Sequence, residues 1–437
     1  MNPPADDRLP VVLVVLDGLG DRPVPELGGR TPSEAAATPV LDAFADHGAS
    51  GWHLPFGWGR APTSEWAHWA MFGFSEVAFP GRAVLEAAGA GIDVEPGVAA
   101  THAALRTSRV DGREVWVTGR AGAGDGADAS ALLAEAGLVL GGCGASLTPL
   151  GAGGEALLVL PSGSCGDLTD SDPFFEGFHP WLRVLPTSGA ASETADLLNA
   201  LLVKTRGVLL SSVVNAARVE RGLPALDLLT TKWSGTMSPV PAFAELTGVA
   251  GGAVTSTRLY RGIARLLGMG RRDLAPVPDP GEDIAARLVA AEGLIEDGAR
   301  FVHVHTKVTD EAGHTKKPRA KLEALESLDA GLVGLHALAA RAIVAVTGDH
   351  ATPSTAAVLH TGDPTPLVIA GPTVRPDGVS SFGEAPARAG WYGVVHAEEL
   401  LPLLFGHANR PALMGHRTTR LRTLALPDHP QPMPGSG

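Results

Sequence analysis

Asp349 and His350 stand side by side in Thr347-Gly348-Asp349-His350-Ala351-Thr352-Pro353, directly after the apolar run Ala342 to Val346. A carboxylate and an imidazole where a buried strand runs out are two metal ligands at the place where open α/β sheets carry their chemistry. The pair alone is a weak signal, and it gains weight from company. Asp310 and His314 follow the run Phe301 to His305. If that segment turns helical, the i,i+4 spacing sets both on one face, able to share an ion. Asp17 closes the run Val11 to Leu16, and His360 precedes the run Pro366 to Ala370. Each instance has a bland reading, a loose structural spacing or an Asp that only begins a Gly turn. Their recurrence at one predicted strand edge after another points to a shared centre.

The ligand types narrow the ion. Carboxylate and imidazole without thiolate suit Mn²⁺, Zn²⁺ or Fe²⁺ better than Ca²⁺ or Cu⁺. Asp17, Ser64, Asp310, His314, Asp349, His350 and His360 are too many ligands for one ion and fit two. Two neighbouring ions divide the work: one turns a hydroxyl into a nucleophile, the other polarises a phosphoryl group and its leaving oxygen. A hydroxyl is supplied by Thr63 or Ser64, at the head of the amphipathic segment Glu65 to Phe72. Helix capping explains most such hydroxyls. The sharper reading is a nucleophile, because the exposed N–H groups and dipole that favour a cap also favour a covalently bound phosphate. The residues leave open which of the two it is. Trp52, Trp58, Trp66 and Trp69 crowd this segment; core packing is the expectation, an aromatic wall beside a substrate the alternative.

The elements that must position these groups read as a parallel sheet. Val11 to Leu16 is apolar throughout, as in a strand buried on both faces. A short helix is expected from Thr38 to His47. Downstream come helices over Thr257 to Met269, Ile284 to Leu294 and Ala320 to Leu338, and strands over Phe301 to His305, Ala342 to Val346 and Pro366 to Ala370. Alternation of this kind implies an α/β fold with helices on both faces of the sheet. Residues 121 to 155 are rich in Gly, Ala and Ser, and a helix over Ala190 to Leu202 and a strand at Val208 to Leu210 follow. Two domains are expected: residues 1–79 with 229–437 as a metal-binding core, and 80–228 as an inserted smaller domain.

Bulk composition sets limits on partners. The 437 residues are 45% hydrophobic and 19% charged, as in compact globular chains. A formal net charge of −13 would repel nucleic acid and anionic membrane surfaces. No run reaches transmembrane length, and the opening Met1-Asn2-Pro3-Pro4-Ala5-Asp6-Asp7 is unlike a basic secretory leader. Two cysteines, Cys143 and Cys165, make no disulfide framework. A cytoplasmic protein without nucleic-acid or membrane partners is expected. A phosphorylated substrate would need cations, for which Arg82, Lys232, Arg258 and Lys307 are candidates beside the plainer reading of solvated charges. His303 and His305 share a strand face, either behind the metal ligands or as core histidines.

Longer stretches carry a family likeness. Val14-Val15-Leu16-Asp17-Gly18-Leu19-Gly20-Asp21-Arg22-Pro23, Thr31-Pro32-Ser33-Glu34-Ala35, Asp310-Glu311-Ala312-Gly313-His314, Gly348-Asp349-His350 and His360-Thr361-Gly362-Asp363-Pro364 resemble the archaeal-type, cofactor-independent phosphoglycerate mutases of the alkaline phosphatase superfamily. The resemblance implies an alkaline-phosphatase-like core, with a central mostly parallel sheet flanked by helices, and an inserted α/β (α+β) cap domain. It implies two divalent ions, Mn²⁺ or Zn²⁺ ahead of Mg²⁺ or Fe²⁺, with Asp17, Ser64, Asp349 and His350 on one and Asp310, His314 and His360 on the other. Ser64, rather than Thr63, would be transiently phosphorylated by a small phosphorylated metabolite, phosphoglycerate by default. A phosphatase or phosphonate hydrolase of the same superfamily is the alternative, and a silent binding protein a third. The chain departs from the family at Ser64-Glu65-Trp66, Gly81-Arg82-Ala83-Val84, Ala100 to Leu105 and Thr230-Thr231-Lys232-Trp233-Ser234. These departures fall on substrate contacts rather than on metal ligands.

Overall fold

A computed structural model describes residues 7–151, 153–172, 178–355 and 358–412, with Asp428 and Met433. Most of the acidic, Pro-rich opening, Met1 to Asp6, lies outside the described residues. The fold is mixed α/β. The chain forms two compact units, Met1–Ala78 with Val240–Gly437, and Phe79–Pro239. Among the described residues no single helix is long and apolar enough to cross a membrane.

The first unit is built on an eight-stranded sheet. Its order is Gly270–Asp273, Gly251–Thr255, Phe301–Thr306, Val11–Leu16, Ile343–Thr347, Thr365–Ala370, Ala49–His53 and Val394–Val395. Neighbours run parallel except around Thr365–Ala370, which is antiparallel to both of its partners. The sheet is thus mostly parallel, as expected, and the cause of its one reversal is local. A parallel partner for Ile343–Thr347 needs a crossover, usually a helix, whereas the described residues between 348 and 364 form no helix. The loop carries His350 out and His360 back to the same edge.

Both faces of this sheet are covered, which is why its central strands are buried at every position and Val11–Leu16 is wholly apolar. Val12, Val14, Leu16, Val302, Val304, Val344 and Val346 face a core shared with Leu41, Phe44, Ile284 and Leu288. On the opposite face Phe301 meets Phe72, Phe243 and Phe405. Parallel register pairs Leu13 with His303 and Val15 with His305, so Asp17 leaves its strand beside Lys307. The helix expected over Ala320 to Leu338 is broken into Pro318–Gly331, a 3-10 turn Leu332–Gly334 and Leu335–Ala339.

The second unit holds an antiparallel sheet ordered Ser146–Pro149, Glu155–Val159, Ala99–Asp111, Glu114–Arg120 and His179–Pro180, with Leu228–Thr236 also paired to Ala99–Asp111. Alternation sorts its two faces. Ala99, Ala103 and Leu105 pack with the helices Gly126–Gly141 and Ser192–Leu210, while Ala100 packs with Ala83, Val84 and Ala87 of Arg82–Gly89. The strand expected at Val208 to Leu210 is the last turn of the helix Ser192–Leu210. A short apolar run does not by itself distinguish strand from buried helix.

Candidate metal centre

Parallel strands deliver their following residues to one edge of the sheet. Asp17 follows Val11–Leu16, Asp310 opens out of Phe301–Thr306, and Asp349 and His350 follow Ile343–Thr347. His360 reaches the same edge because its strand, Thr365–Ala370, runs the other way. Ser64 starts the helix Ser64–Met71, with Thr63 as its N-cap and no side-chain cap bond. Thr63 therefore ends the loop, and Ser64, 6% exposed, points its hydroxyl into the group: Oγ lies 3.1 Å from His350 Nε2.

Two groups of ligand atoms form there, Asp17 with Asp349 and His350, and Asp310 with His314 and His360. In the first, His350 Nε2 is 3.3 Å from Asp17 Oδ1 and 3.4 Å from Asp349 Oδ2. In the second, Asp310 Oδ1 is 3.1 Å from His314 Nε2 and 3.5 Å from His360 Nε2, on the helix Val308–His314 and the facing loop. The i,i+4 spacing of Asp310 and His314 thus falls on a true helical turn. Thr352 joins the groups: its hydroxyl donates to Asp310 Oδ1 at 2.7 Å and lies 3.2 Å from His350 Nδ1. Gly18, at φ +64°, makes this closeness possible, since a Cβ there would sit 2.5 Å from Thr352 Oγ1 and 2.8 Å from Asp310 Oδ1.

The chain matches the family model described as Metalloenzyme superfamily over residues 9–405. The chain belongs to this superfamily. Among its curated relatives, the 2,3-bisphosphoglycerate-independent phosphoglycerate mutase of Methanoculleus marisnigri is 34% identical over 412 residues, 92% of this chain and 97% of the relative. The enzyme of that name from Thermococcus kodakarensis is 32% identical over 92% of this chain and 98% of its own. Solved structures agree on the fold. A Pyrococcus horikoshii protein superposes with a TM-score of 0.76 at 28% identity, covering 93% of this chain and 99% of its own. The cofactor-independent phosphoglycerate mutase of Thermoplasma acidophilum gives 0.61 at 28% identity, covering 92% and 99%.

A Metalloenzyme superfamily chain should offer its ion bare, buried donor atoms, and this one does. Asp17 Oδ1 and Asp349 Oδ2 are buried without a hydrogen-bond partner, a costly state for carboxylate oxygens unless a cation meets them. The other oxygen of each is tethered. Asp349 Oδ1 accepts from the Gly18 N–H at 3.0 Å. Asp17 Oδ2 accepts from His305 Nε2 at 2.9 Å, the Tyr260 hydroxyl at 3.1 Å and Lys307 Nζ at 3.4 Å. His360 Nδ1 lies 3.0 Å from the Pro62 carbonyl, so donation there leaves Nε2 as the atom that could meet an ion.

Charge in this superfamily member is arranged to match. Burial works against ionising Asp17, yet Lys307, His305 and His350 hold its carboxyl well below the usual range. Burial and Asp17 also oppose ionised Asp310; His314, His360 and Lys307 prevail and hold it far below. Burial alone would lower His350, and the Asp349 and Asp17 carboxylates push it up to about 9. His53 and His68, buried with less compensation, fall to about 4 and are neutral. Burial, Asp17 and Asp349 keep the Tyr260 phenol well above its ordinary value, a donor at any working pH.

The remaining candidates divide between the units. Lys307 Nζ bridges Asp17 and Asp310, 2.9 Å from Asp310 Oδ2. Arg258 begins the helix Arg258–Leu266, half-buried. In the second unit Arg82 and Lys232 both lie over the Trp233 ring, at 3.7 and 4.0 Å. Lys232 is only 6% exposed, not a solvated charge, and burial with nearby Arg106 pulls it to about 8. Core packing holds for Trp69 and fails for Trp58 and Trp66, which are 62% and 49% exposed. His305 stands behind Asp17, as one of its two readings expects. Sequence pattern alone does not mark Tyr260, Thr352 or His68. Thr352 lies two residues past His350, a spacing that could have drawn notice, whereas Tyr260 sits in an apolar helix with no marking signal.

Proposed function

We propose that this chain is a metal-dependent phosphomutase acting on a small phosphorylated metabolite through a phosphoserine at Ser64, with phosphoglycerate as the default substrate. One observation carries the reading. A nucleophilic hydroxyl at a helix N-terminus adjoins two carboxylate–imidazole groups, in a chain whose relatives over nine-tenths of its length are named phosphoglycerate mutases. Asp17, Asp349, His350 and Ser64 would hold one divalent ion, and Asp310, His314 and His360 the other. Bound there, divalent ions would lower the pKa of the Ser64 hydroxyl and polarise the phosphoryl group.

The chain's own residues do the rest. Ser64 Oγ forms the new bond to phosphorus as the bond from phosphorus to the substrate oxygen breaks. The proton lost by Ser64 is balanced by one gained at the departing oxygen. The first helical N–H groups behind Ser64 and the ammonium of Lys307 oppose the phosphoryl charge. Reversal onto the neighbouring hydroxyl of the retained product completes a mutase cycle, and transfer to water would make a phosphatase. Residues 79–239 would serve as the cap. Arg82, which adjoins the departure at Ala83-Val84, forms one contiguous group with Lys232 and Trp233 of a second departure, which favours a substrate altered away from the phosphate.

The test is turnover of phosphorylated metabolites, starting with the monophosphoglycerate isomers, in Mn²⁺, following isomerisation and phosphate release together. Isomerisation without net phosphate is expected. Phosphate release with no isomer formed from any accepted substrate would overturn the mutase reading. Ser64→Ala should abolish turnover and leave metal binding in place; near-native turnover in that variant would overturn the covalent route.

A further inference from the structure

The two oxygens of Asp17 live in different surroundings. Oδ2 is met by His305 Nε2 at 2.9 Å, the Tyr260 hydroxyl at 3.1 Å and Lys307 Nζ at 3.4 Å. Oδ1 makes no hydrogen bond and faces His350 Nε2 at 3.3 Å. Lys307 is partly exposed and already shared with Asp310. The two fixed donors are therefore Tyr260 and His305.

Both are held rigidly. Their rings lie against each other tilted by 36° with centroids 3.7 Å apart, and His68 sets its edge against Tyr260 at 4.8 Å and His305 at 5.4 Å. His303 closes the layer, 4.9 Å from His68. His305 is further fixed by its strand, in register with Val15. A ring pair locked this way cannot swing aside to release Oδ2 without disturbing the buried layer beneath the sheet edge.

We propose that Tyr260 and His305 are positioning residues that restrict Asp17 to one metal-directed oxygen, and that they thereby set the ion selectivity of the Asp17–Asp349–His350 group against large cations. Ca²⁺ takes many oxygens and commonly binds carboxylates through both, whereas smaller divalent ions need fewer ligands. Asp349 is limited in the same way, with Oδ1 tied to the Gly18 N–H and Oδ2 bare. Two one-oxygen carboxylates and an imidazole make a compact group that suits Mn²⁺ or Zn²⁺ and leaves Ca²⁺ under-coordinated. The inference rests on the reading of these residues as metal ligands.

The test measures Mn²⁺ and Ca²⁺ dissociation constants on the full chain by chelator competition, with bound Mn²⁺ counted by electron paramagnetic resonance. Tyr260→Phe removes only the hydroxyl, His305→Gln keeps an N–H donor, and His305→Leu removes it. An Asp310→Asn background isolates the Asp17 group. Tyr260→Phe and His305→Leu should weaken Mn²⁺ at this group about tenfold, in the range for lost outer-shell hydrogen bonds. The ratio of Ca²⁺ to Mn²⁺ affinity should rise, and His305→Gln should stay near the native value. Unchanged affinity and ratio in folded variants would overturn the proposal. So would an equal loss at both groups with a lowered melting temperature, which is the mark of a purely structural layer. Should Tyr260→Phe fail to fold, the His305 pair decides. If the native chain binds no Mn²⁺, the metal reading itself falls, a result distinct from native binding with indifferent variants.

Discussion

Thr352 has one hydroxyl proton and two polar neighbours, and the geometry says where the proton goes. The hydroxyl donates to Asp310 Oδ1 at 2.7 Å, so it accepts from His350 Nδ1–H at 3.2 Å. That fixes the imidazole with Nε2 turned to Asp17, Asp349 and Ser64. Thr352→Val should therefore weaken metal binding at both groups, by about tenfold each, while Thr352→Ser stays close to native; Mn²⁺ titration of the two variants checks it. His350 adds a pH dependence. Its pKa of about 9 in the metal-free chain means that a proton occupies Nε2, the candidate ligand atom, at neutral pH. An ion must displace that proton, so apparent affinity should rise with pH, at most about tenfold per unit, and flatten above about pH 9. Calorimetry at pH 7.5 in buffers of different ionisation enthalpy should show close to one proton released for the ion at this group. The same shift affects the metal-free fold in the opposite sense. Stability from the raised His350 is fully present below its unfolded value of 6.5 and is lost as pH climbs through about 9. At this scale the sequence is most legible where ligand types repeat at strand ends, as with Asp17, Asp310 and Asp349. It is silent on Tyr260, because a phenol in an apolar helix looks like core until the fold shows what its oxygen reaches.

The loops that carry the candidate ligands are themselves tied down by one helix. Lys321, on Pro318–Gly331, is wholly buried and donates to the Gly20 and Thr352 carbonyls, each at 2.9 Å, and to Asp21 Oδ2 at 3.2 Å. Asp21 also accepts from the Ser354 N–H at 3.1 Å. One ammonium thus fastens the turn after Asp17 to the loop after His350. Lys321→Met should destabilise the metal-free chain by about 3–5 kcal/mol, the usual penalty for stranding one half of a buried ion pair. Urea denaturation would show it, and a change below about 0.5 kcal/mol, within the range of surface substitutions, would mean that the strap is dispensable. Elements differ in how plainly the sequence announces them. Val11–Leu16 is apolar throughout because both faces are covered, a pattern that half-exposed strands do not produce. Gly126–Gly141 hides in a Gly- and Ala-rich stretch, since small residues pack well but leave no periodic contrast. Gly251–Thr255 is hidden for a related reason: two glycines weaken its strand signature while the neighbouring strands hold it in place. The reversed strand Thr365–Ala370 reads as a strand, but its direction depends on a loop whose path no composition records.

Across the whole chain, chemistry and mass are unevenly shared. Asp17, Ser64, Asp310, His314, Asp349, His350 and His360 all fall within Met1–Ala78 with Val240–Gly437, and none within Phe79–Pro239. An acidic chain with a formal net charge of −13 gathers three of its carboxylates at this one edge, where like charges repel unless cations intervene. Metal binding should then stabilise one unit selectively. For a ligand bound only by the folded state, a concentration about one hundred times its dissociation constant contributes about 2.7 kcal/mol. Hydrogen exchange with and without Mn²⁺ reads where that stabilisation goes. Added protection should concentrate in peptides covering residues 11–21, 64–71, 301–314 and 343–361, and exchange in the interior of the second unit, at Ala99–Asp111 and Ser192–Leu210, should be unaffected. Equal protection of both units would mean that the ions stabilise the molecule as one cooperative block. The opposite result, protection confined to residues 79–239, would place the ion away from all seven residues and overturn the metal centre. The prediction separates cleanly because the candidate ligands come from sequence positions nearly 350 residues apart, from Asp17 to His360, yet from one unit only.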